Sequence, residues 1–169
     1  LGESPTLHLG TLIQPLNLPV SLDGTFGPLK ESADLDAINL QLALGKTEFA
    51  ITGKTAGSQA SMLLTSSAIN TGNLPLTLPL KKPVEVKNFK LAADSKGSQL
   101  TVRDLSFDLF DGKIATQAAL QSGSEAPPFT ATLSMNGIQL APAIAVVTET
   151  PVSVTGTAGL DLSLKGQGF

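Results

Sequence analysis

The densest group of side chains that could bind a metal ion or take part in a reaction consists of Asp104, Asp108 and Asp111. Closely spaced carboxylates can bind a divalent cation, but a calcium site normally adds further Asp or Asn ligands and a distal glutamate. A tight turn explains Asp111, and Asp108 falls on the water-facing side of a predicted strand. The sequence therefore predicts a solvated strand and turn here rather than a metal site, and Asp34 and Asp36 are interpreted in the same way.

Catalytic groups are sparse along the chain. A hydrolase triad needs a base, and the one histidine, His8, stands alone on a strand predicted over residues 6–13. The chain has no cysteine, which excludes a thiol nucleophile and thiolate metal sites. No glycine-rich phosphate loop with its Lys-Ser/Thr is present. We therefore predict a protein that is not an enzyme, with no catalytic residues, no metal and no cofactor.

The amino-acid composition limits the classes of partner that this chain could bind. The net charge is −3 with only 11 Lys and Arg residues, whereas a nucleic-acid partner requires a basic face. No apolar run approaches the roughly 18–20 residues that span a bilayer as a helix. The aromatic residues are seven Phe, with no Trp and no Tyr, the two types on which protein-binding hot spots usually depend. Such a composition suits a hydrophobic core or a purely aliphatic ligand.

Residues 104–120 predict a β-hairpin that closes at Asp111-Gly112, a strong signal for a two-residue type I′ turn. A turn there pairs Leu109 with Ile114, Phe107 with Thr116 and Leu105 with Ala118. Because side chains alternate along a strand, one face is apolar and the other mostly polar. The apolar face of this hairpin includes Leu105, Phe107, Leu109, Ile114 and Leu120.

A second copy of the same unit lies about 67 residues earlier, in the manner of a repeat architecture. Residues 38–46 align without a gap on residues 105–113. The turn is predicted at Leu44-Gly45, which pairs Leu40 with Phe49 and Ile38 with Ile51. The apolar face of this copy consists of Ile38, Leu40, Leu42, Phe49 and Ile51.

The rest of the chain is mostly extended. Strands are predicted over residues 61–66, 84–93, 129–135 and 152–164, with a β-bulge near Lys87-Asn88 and a change of parity at Arg103-Asp104. Residues 72–80 contain Pro75 and Pro79, which cannot donate to a ladder. One short helix is predicted over residues 141–149 and is ended by a proline. The fold class is all-β, mainly antiparallel, with hairpin repeats in a curved or twisted sheet or an open sandwich.

Two interpretations of the apolar faces follow from this pattern. In the first, they close on a second sheet and form an ordinary sandwich core. In the second, part of them lines a groove that holds acyl chains. The residues favour the first interpretation, because apolar side chains in strands usually form a core.

The order of features from residue 84 to 169 resembles the C-terminal region of the AsmA family of bacterial envelope proteins. The resemblance rests on Phe89-Lys-Leu, the Leu105-Ser-Phe-Asp-Leu-Phe-Asp-Gly-Lys113 hairpin, Pro127-Pro-Phe, Asn136-Gly-Ile-Gln-Leu-Ala-Pro142 and Gly156-Thr-Ala-Gly-Leu-Asp-Leu-Ser-Leu-Lys-Gly-Gln-Gly168. Residues 22–79, with the Leu44-Gly-Lys-Thr47 turn and the Leu74-Pro-Leu-Thr-Leu-Pro79 link, are similar to the part that precedes it. The single β-rich unit 1–169 thus divides into halves of about 22–80 and 84–169.

This resemblance implies a periplasmic body held to the inner membrane by an N-terminal anchor. The chain begins at Leu1 rather than at Met, which favours a part of a longer protein. Similarity to repeating-β-groove lipid transporters implies a role in outer-membrane biogenesis, with phospholipid acyl chains as partners and no nucleic acid. For the whole protein, the resemblance favours the groove over the closed core, and it does so less for residues 1–169 alone. The alternative is a structural or adhesive β-sandwich module of a surface protein.

Overall fold

The computed structural model describes residues 20–27, 34–35, 37–74, 80–123, 125–148 and 153–167. His8, Asp36, Pro75, Pro79 and the strand predicted over residues 6–13 lie outside these ranges. The described strands are β1 (Val20–Phe26), β2 (Ile38–Leu44), β3 (Thr47–Ala56), β4 (Gln59–Asn70), β5 (Glu85–Lys96), β6 (Gln99–Leu109), β7 (Gly112–Gln121), β8 (Pro128–Gln139) and β9 (Thr157–Gln167). A helix, α1 (Leu140–Ala145), follows β8, and a 3-10 turn (Thr71–Asn73) follows β4.

All nine strands belong to one open antiparallel sheet, and their order in the sheet is their order in the chain. Each strand pairs with the next, because short turns bring the neighbouring extended segment alongside. The pairing of β4 with β5 crosses the boundary between the two predicted halves without interruption. The predicted all-β, mainly antiparallel fold with a single short helix is confirmed for the described residues.

Both predicted changes of parity are confirmed as breaks in the pairing of β5 with β6. One lies between Lys87 and Lys90, where Asn88 has a left-handed φ of 51°, and the other includes Arg103. A third break, between Met135 and Ile138 of β8, was not predicted. Each inserts one residue and so returns the apolar side chains to a common face. Without these bulges the alternation would place half of each long strand on the wrong side of the sheet.

The two predicted hairpins are present, but each turn is displaced by one residue, towards the C-terminus in the first hairpin and towards the N-terminus in the second. Leu44 pairs with Thr47 around Gly45-Lys46, and Leu109 pairs with Gly112 around Phe110-Asp111. The φ values of 49° at Phe110 and 59° at Asp111 are those that a type I′ turn needs at both central residues.

This displacement corrects the predicted cross-strand pairs by two residues. Phe107 pairs with Ile114 rather than with Thr116, and Leu42, not Leu40, is opposite Phe49. Because the period of a strand is two, an even shift leaves every side chain on its predicted face.

The predicted bounds of the two elements after β8 also need correction. The helix was predicted over residues 141–149, but α1 ends at Ala145, after six residues. The strand predicted over residues 152–164 is β9, which begins only at Thr157 and continues to Gln167. Gly156, with φ 118°, directly precedes it in a conformation that glycine adopts without strain.

Few side chains of the sheet are fully buried. Among the described residues, the buried hydrophobic side chains are those of Ile69, Val84, Ala92 and Ile138. A two-layer domain of this size would bury far more, because each layer covers a face of the other. The described strands therefore form a single layer.

Candidate functional site

An unbroken row of side chains crosses the sheet on one side, which we name the apolar face. Residues directly opposite each other in antiparallel strands share a face and lie about 5 Å apart. Starting from Leu40 in β2, each successive partner can therefore be followed across the remaining strands. The row consists of Leu40, Ile51, Leu64, Leu91, Leu105, Thr116, Leu133 and Leu162.

A second row of side chains lies beside the first on the same face of the sheet. It consists of Ile38, Gly53, Met62, Ala93, Val102, Ala118, Ala131 and Leu164. Registers and alternation together place all ten predicted apolar residues on this face: Ile38, Leu40, Leu42, Phe49, Ile51, Leu105, Phe107, Leu109, Ile114 and Leu120. The two hairpin copies thus present their apolar sides in the same direction.

The sequence-based set omitted the leucines that join the two copies. Leu64 and Leu91 connect the first hairpin to the second, and Leu133 and Leu162 extend the row to the sheet edge. Alternation within each strand is the signal that could have identified them. The order of the strands, which places these leucines in one row, cannot be predicted from the sequence of any single strand.

Water reaches the apolar face at several points. Met62 in the interior strand β4 is 40% exposed and Leu100 in β6 is 47% exposed. On β9, Leu160, Leu162 and Leu164 are 42–49% exposed, because an edge strand has a neighbour on one side only. Contiguous exposed apolar surface of this kind marks binding sites for apolar partners in soluble proteins.

The opposite side of the sheet carries the charged residues. Lys90 Nζ lies 2.9 Å from Asp104 Oδ2, and Arg103 forms an ion pair with Asp94. Asn88 Nδ2 donates to Asp108 Oδ2 at 2.6 Å. These contacts hold neighbouring strands together across the polar face and leave the apolar face without charge.

The structure separates the three aspartates considered as cation ligands. Asp104 is paired with Lys90, Asp108 accepts a hydrogen bond from Asn88, and Asp111 occupies a turn. Asp34 Oδ1 accepts from the backbone N–H of Gly57 at 2.6 Å. No group of three or more His, Cys, Asp or Glu side chains suited to a metal ion occurs within the described ranges.

A hollow of about 720 Å³ lies at one end of the sheet, between α1 and the Phe110-Asp111 turn. Its wall combines apolar side chains such as Val84 and Val146 with Lys113 and Asp108. Its described lining also includes Glu85 and Asp111, and no histidine, serine or threonine is among these described residues.

The ion pair between Lys90 and Asp104 is expected to make the stability of the protein depend on pH. A hydrogen bond from Lys90 holds the pKa of Asp104 below its usual value. Its stabilisation is therefore complete above the unfolded-state pKa of about 3.9 and is lost as the pH falls through the lower folded-state pKa. Asp104→Asn should lower the free energy of unfolding at pH 7 by less than about 1 kcal/mol, since the two side chains are 33% and 48% exposed.

Urea unfolding of Asp104→Asn at pH 7 and pH 3 measures this effect. The difference from wild type should be smaller at pH 3, which lies below the unfolded-state pKa, and should vanish as the pH falls through the lowered folded-state pKa of Asp104. Asp23→Asn is the matched control, because Asp23 also lies on the polar face of a strand and forms no ion pair within the described part of the chain. An equal loss at both pH values would assign the effect of Asp104→Asn to something other than charge.

Among the helices of the described residues, none combines the length and the apolar character needed to cross a bilayer. No family model, no curated protein and no solved structure matches this chain. The described residues are therefore characterised by their own geometry, a nine-stranded antiparallel meander with one apolar and one polar face.

Proposed function

We propose that this chain is a non-enzymatic part of a bacterial envelope protein of the AsmA kind, and that phospholipid acyl chains move along its apolar face. The observation that carries the proposal is the row from Leu40 to Leu162, which crosses eight strands without a charged side chain. In a single-layer sheet such a row needs an apolar partner, because exposed aliphatic surface is unfavourable in water.

An acyl chain is a partner of suitable chemistry. Each CH₂ group that leaves water contributes about 0.8 kcal/mol, so a path of leucines could shield a chain along its length. The absence of Trp and Tyr supports this occupant, since an aliphatic wall offers no hydrogen-bonding handle at a fixed position. Uniform contacts of this kind let a lipid slide rather than stop in one register.

Transport by this route requires no chemistry from the protein. The headgroup would remain in water while the acyl chains follow the apolar face. The family resemblance of residues 22–79 and 84–169 is the basis for three further parts of this proposal. They are a periplasmic location, an inner-membrane tether and a role in outer-membrane biogenesis.

Site-specific photo-crosslinking tests the proposal. A photo-reactive amino acid replaces Phe107 on the apolar face of β6 or, as the control, Gln117 on the polar face of β7. We expect phospholipid adducts from Phe107 and none from Gln117 when the protein is expressed in a bacterial periplasm. Lipid extraction and native mass spectrometry of the purified protein should detect phospholipid as well.

Two results would contradict this function. No co-purifying phospholipid together with no adduct at Phe107 would make Phe107 part of a core that a second sheet completes. The chain would then be a structural or adhesive β-sandwich module. Equal adducts at Phe107 and Gln117 would indicate non-specific contact with membranes.

A further inference from the structure

β9 is a long edge strand, and its outer side has no strand partner among the described residues. β9 is the last strand of the sheet, and β8 is its one strand neighbour among the described residues. Proteins usually protect such edges with short strands, prolines or several charges. β9 has eleven residues, no proline, and two charges of opposite sign. The other edge strand, β1, has seven residues and carries the single charge of Asp23.

The sequence of β9 is complementary to itself in the antiparallel direction. Placing a two-fold axis at Ser163 sets Asp161 opposite Lys165 of the second strand on the polar face, and the symmetry repeats this pair. The same register sets Leu162 opposite Leu164 on the apolar face. Residues 159–167 can then pair over nine positions, and opposite side chains would be about 5 Å apart.

Other registers leave the charged side chains of β9 without a partner of opposite charge. A shift by one residue places leucines opposite the charged side chains and mismatches the two faces. A symmetric pairing about Leu162 keeps the faces but sets Asp161 opposite Ser163 and leaves Lys165 opposite Gly159. The register about Ser163 is the one that pairs both charges.

We propose that β9 is a self-association edge, where a second copy of this chain adds its own β9 antiparallel about Ser163. The contact is isologous, because the same surface serves both copies. It would join two nine-stranded sheets and make their apolar faces continuous. This inference does not depend on what the apolar face binds.

Charge reversal in the 169-residue chain tests the register. Asp161→Lys places lysine opposite Lys165 twice per dimer, and Lys165→Asp places aspartate opposite Asp161 twice. Each single variant should weaken dimerisation on the order of tenfold or more, because two exposed attractions become two repulsions. The double variant Asp161→Lys/Lys165→Asp should restore it. Sedimentation equilibrium from about 1 µM to about 500 µM covers the affinity range in which such edge contacts are measurable.

Mixing the two single variants gives the most specific readout. One chain then has two lysines and the other two aspartates, so both opposing pairs are attractive only in the heterodimer. We expect the equimolar mixture to dimerise where each variant alone does not. Circular dichroism of each variant checks that the sheet is retained, which is expected because both residues are exposed.

Three outcomes would overturn the proposal. A monomer throughout the concentration range would show that β9 does not self-associate. A dimer insensitive to all of these variants would use another surface. An open-ended series of oligomers would indicate head-to-tail pairing of β9 with β1 instead of a closed two-fold contact.

Discussion

Replacing Leu40 with aspartate is expected to reduce co-purifying phospholipid at least tenfold. Leu40 lies in β2 between Gly24 and Ile51 on the apolar face. A carboxylate there would have to lose its water when an acyl chain covers it, and an unpaired charge in apolar surroundings is strongly unfavourable. The phosphorus content of extracted lipid per mole of protein measures the effect.

Two further variants separate loss of binding from loss of folding. Asn39→Asp introduces the same carboxylate at the preceding residue, on the polar face between Thr25 and Thr52, and should retain lipid at the wild-type level. Met62→Asp places a charge on the apolar face of β4 at a position already 40% exposed, so the fold should tolerate it while lipid is lost. Folded Leu40→Asp and Met62→Asp proteins that retain their lipid would remove the apolar face from the proposed path.

Replacing Gly112 with alanine is expected to destabilise the protein by about 2–3 kcal/mol. A Cβ atom at this position would lie 2.5 Å from the backbone N of Ile138, 2.6 Å from the backbone O of Asn136 and 2.6 Å from the carbonyl carbon of Gly137. These are backbone atoms of the β8 bulge and cannot rotate away, so β7 and β8 would have to separate locally. Guanidinium unfolding monitored by circular dichroism gives the free energy.

Gly57→Ala is the matched control for that substitution. Gly57 also lies in a hairpin, with a φ of 57°, but a Cβ there would meet nothing within 4 Å. Its cost should be limited to left-handed backbone strain, about 1 kcal/mol. If both variants lose the same free energy, close approach to the β8 bulge is not what requires glycine at position 112.

The role of Gly112 shows where sequence reasoning reached the right residue for a different reason. Asp-Gly signals a two-residue turn, and the hairpin is present, but Phe110 and Asp111 form its centre. Gly112 is the first residue of β7, where it admits the backbone of β8. Because β8 lies outside the hairpin, the sequence of the hairpin alone does not predict this contact.

The two faces of the sheet could be predicted from the amino-acid sequence. Alternation assigned Leu40, Phe107 and their companions to one side, since the direction of a side chain in a strand depends only on parity. The breaks in parity at Asn88 and Arg103 were equally visible, because an inserted residue interrupts the same local alternation. Charged side chains such as Lys90 and Asp104 fell on the opposite side by the same rule.

How these strands combine into one sheet is visible only in the folded structure. That β4 and β5 unite the two hairpins into one sheet depends on backbone hydrogen bonds between segments, which no local pattern encodes. The exact pairs, such as Phe107 with Ile114, required the turn conformation, because a turn displaced by one residue moves every pair by two. The row from Leu40 to Leu162 exists only because the pairings along the whole sheet place its members side by side.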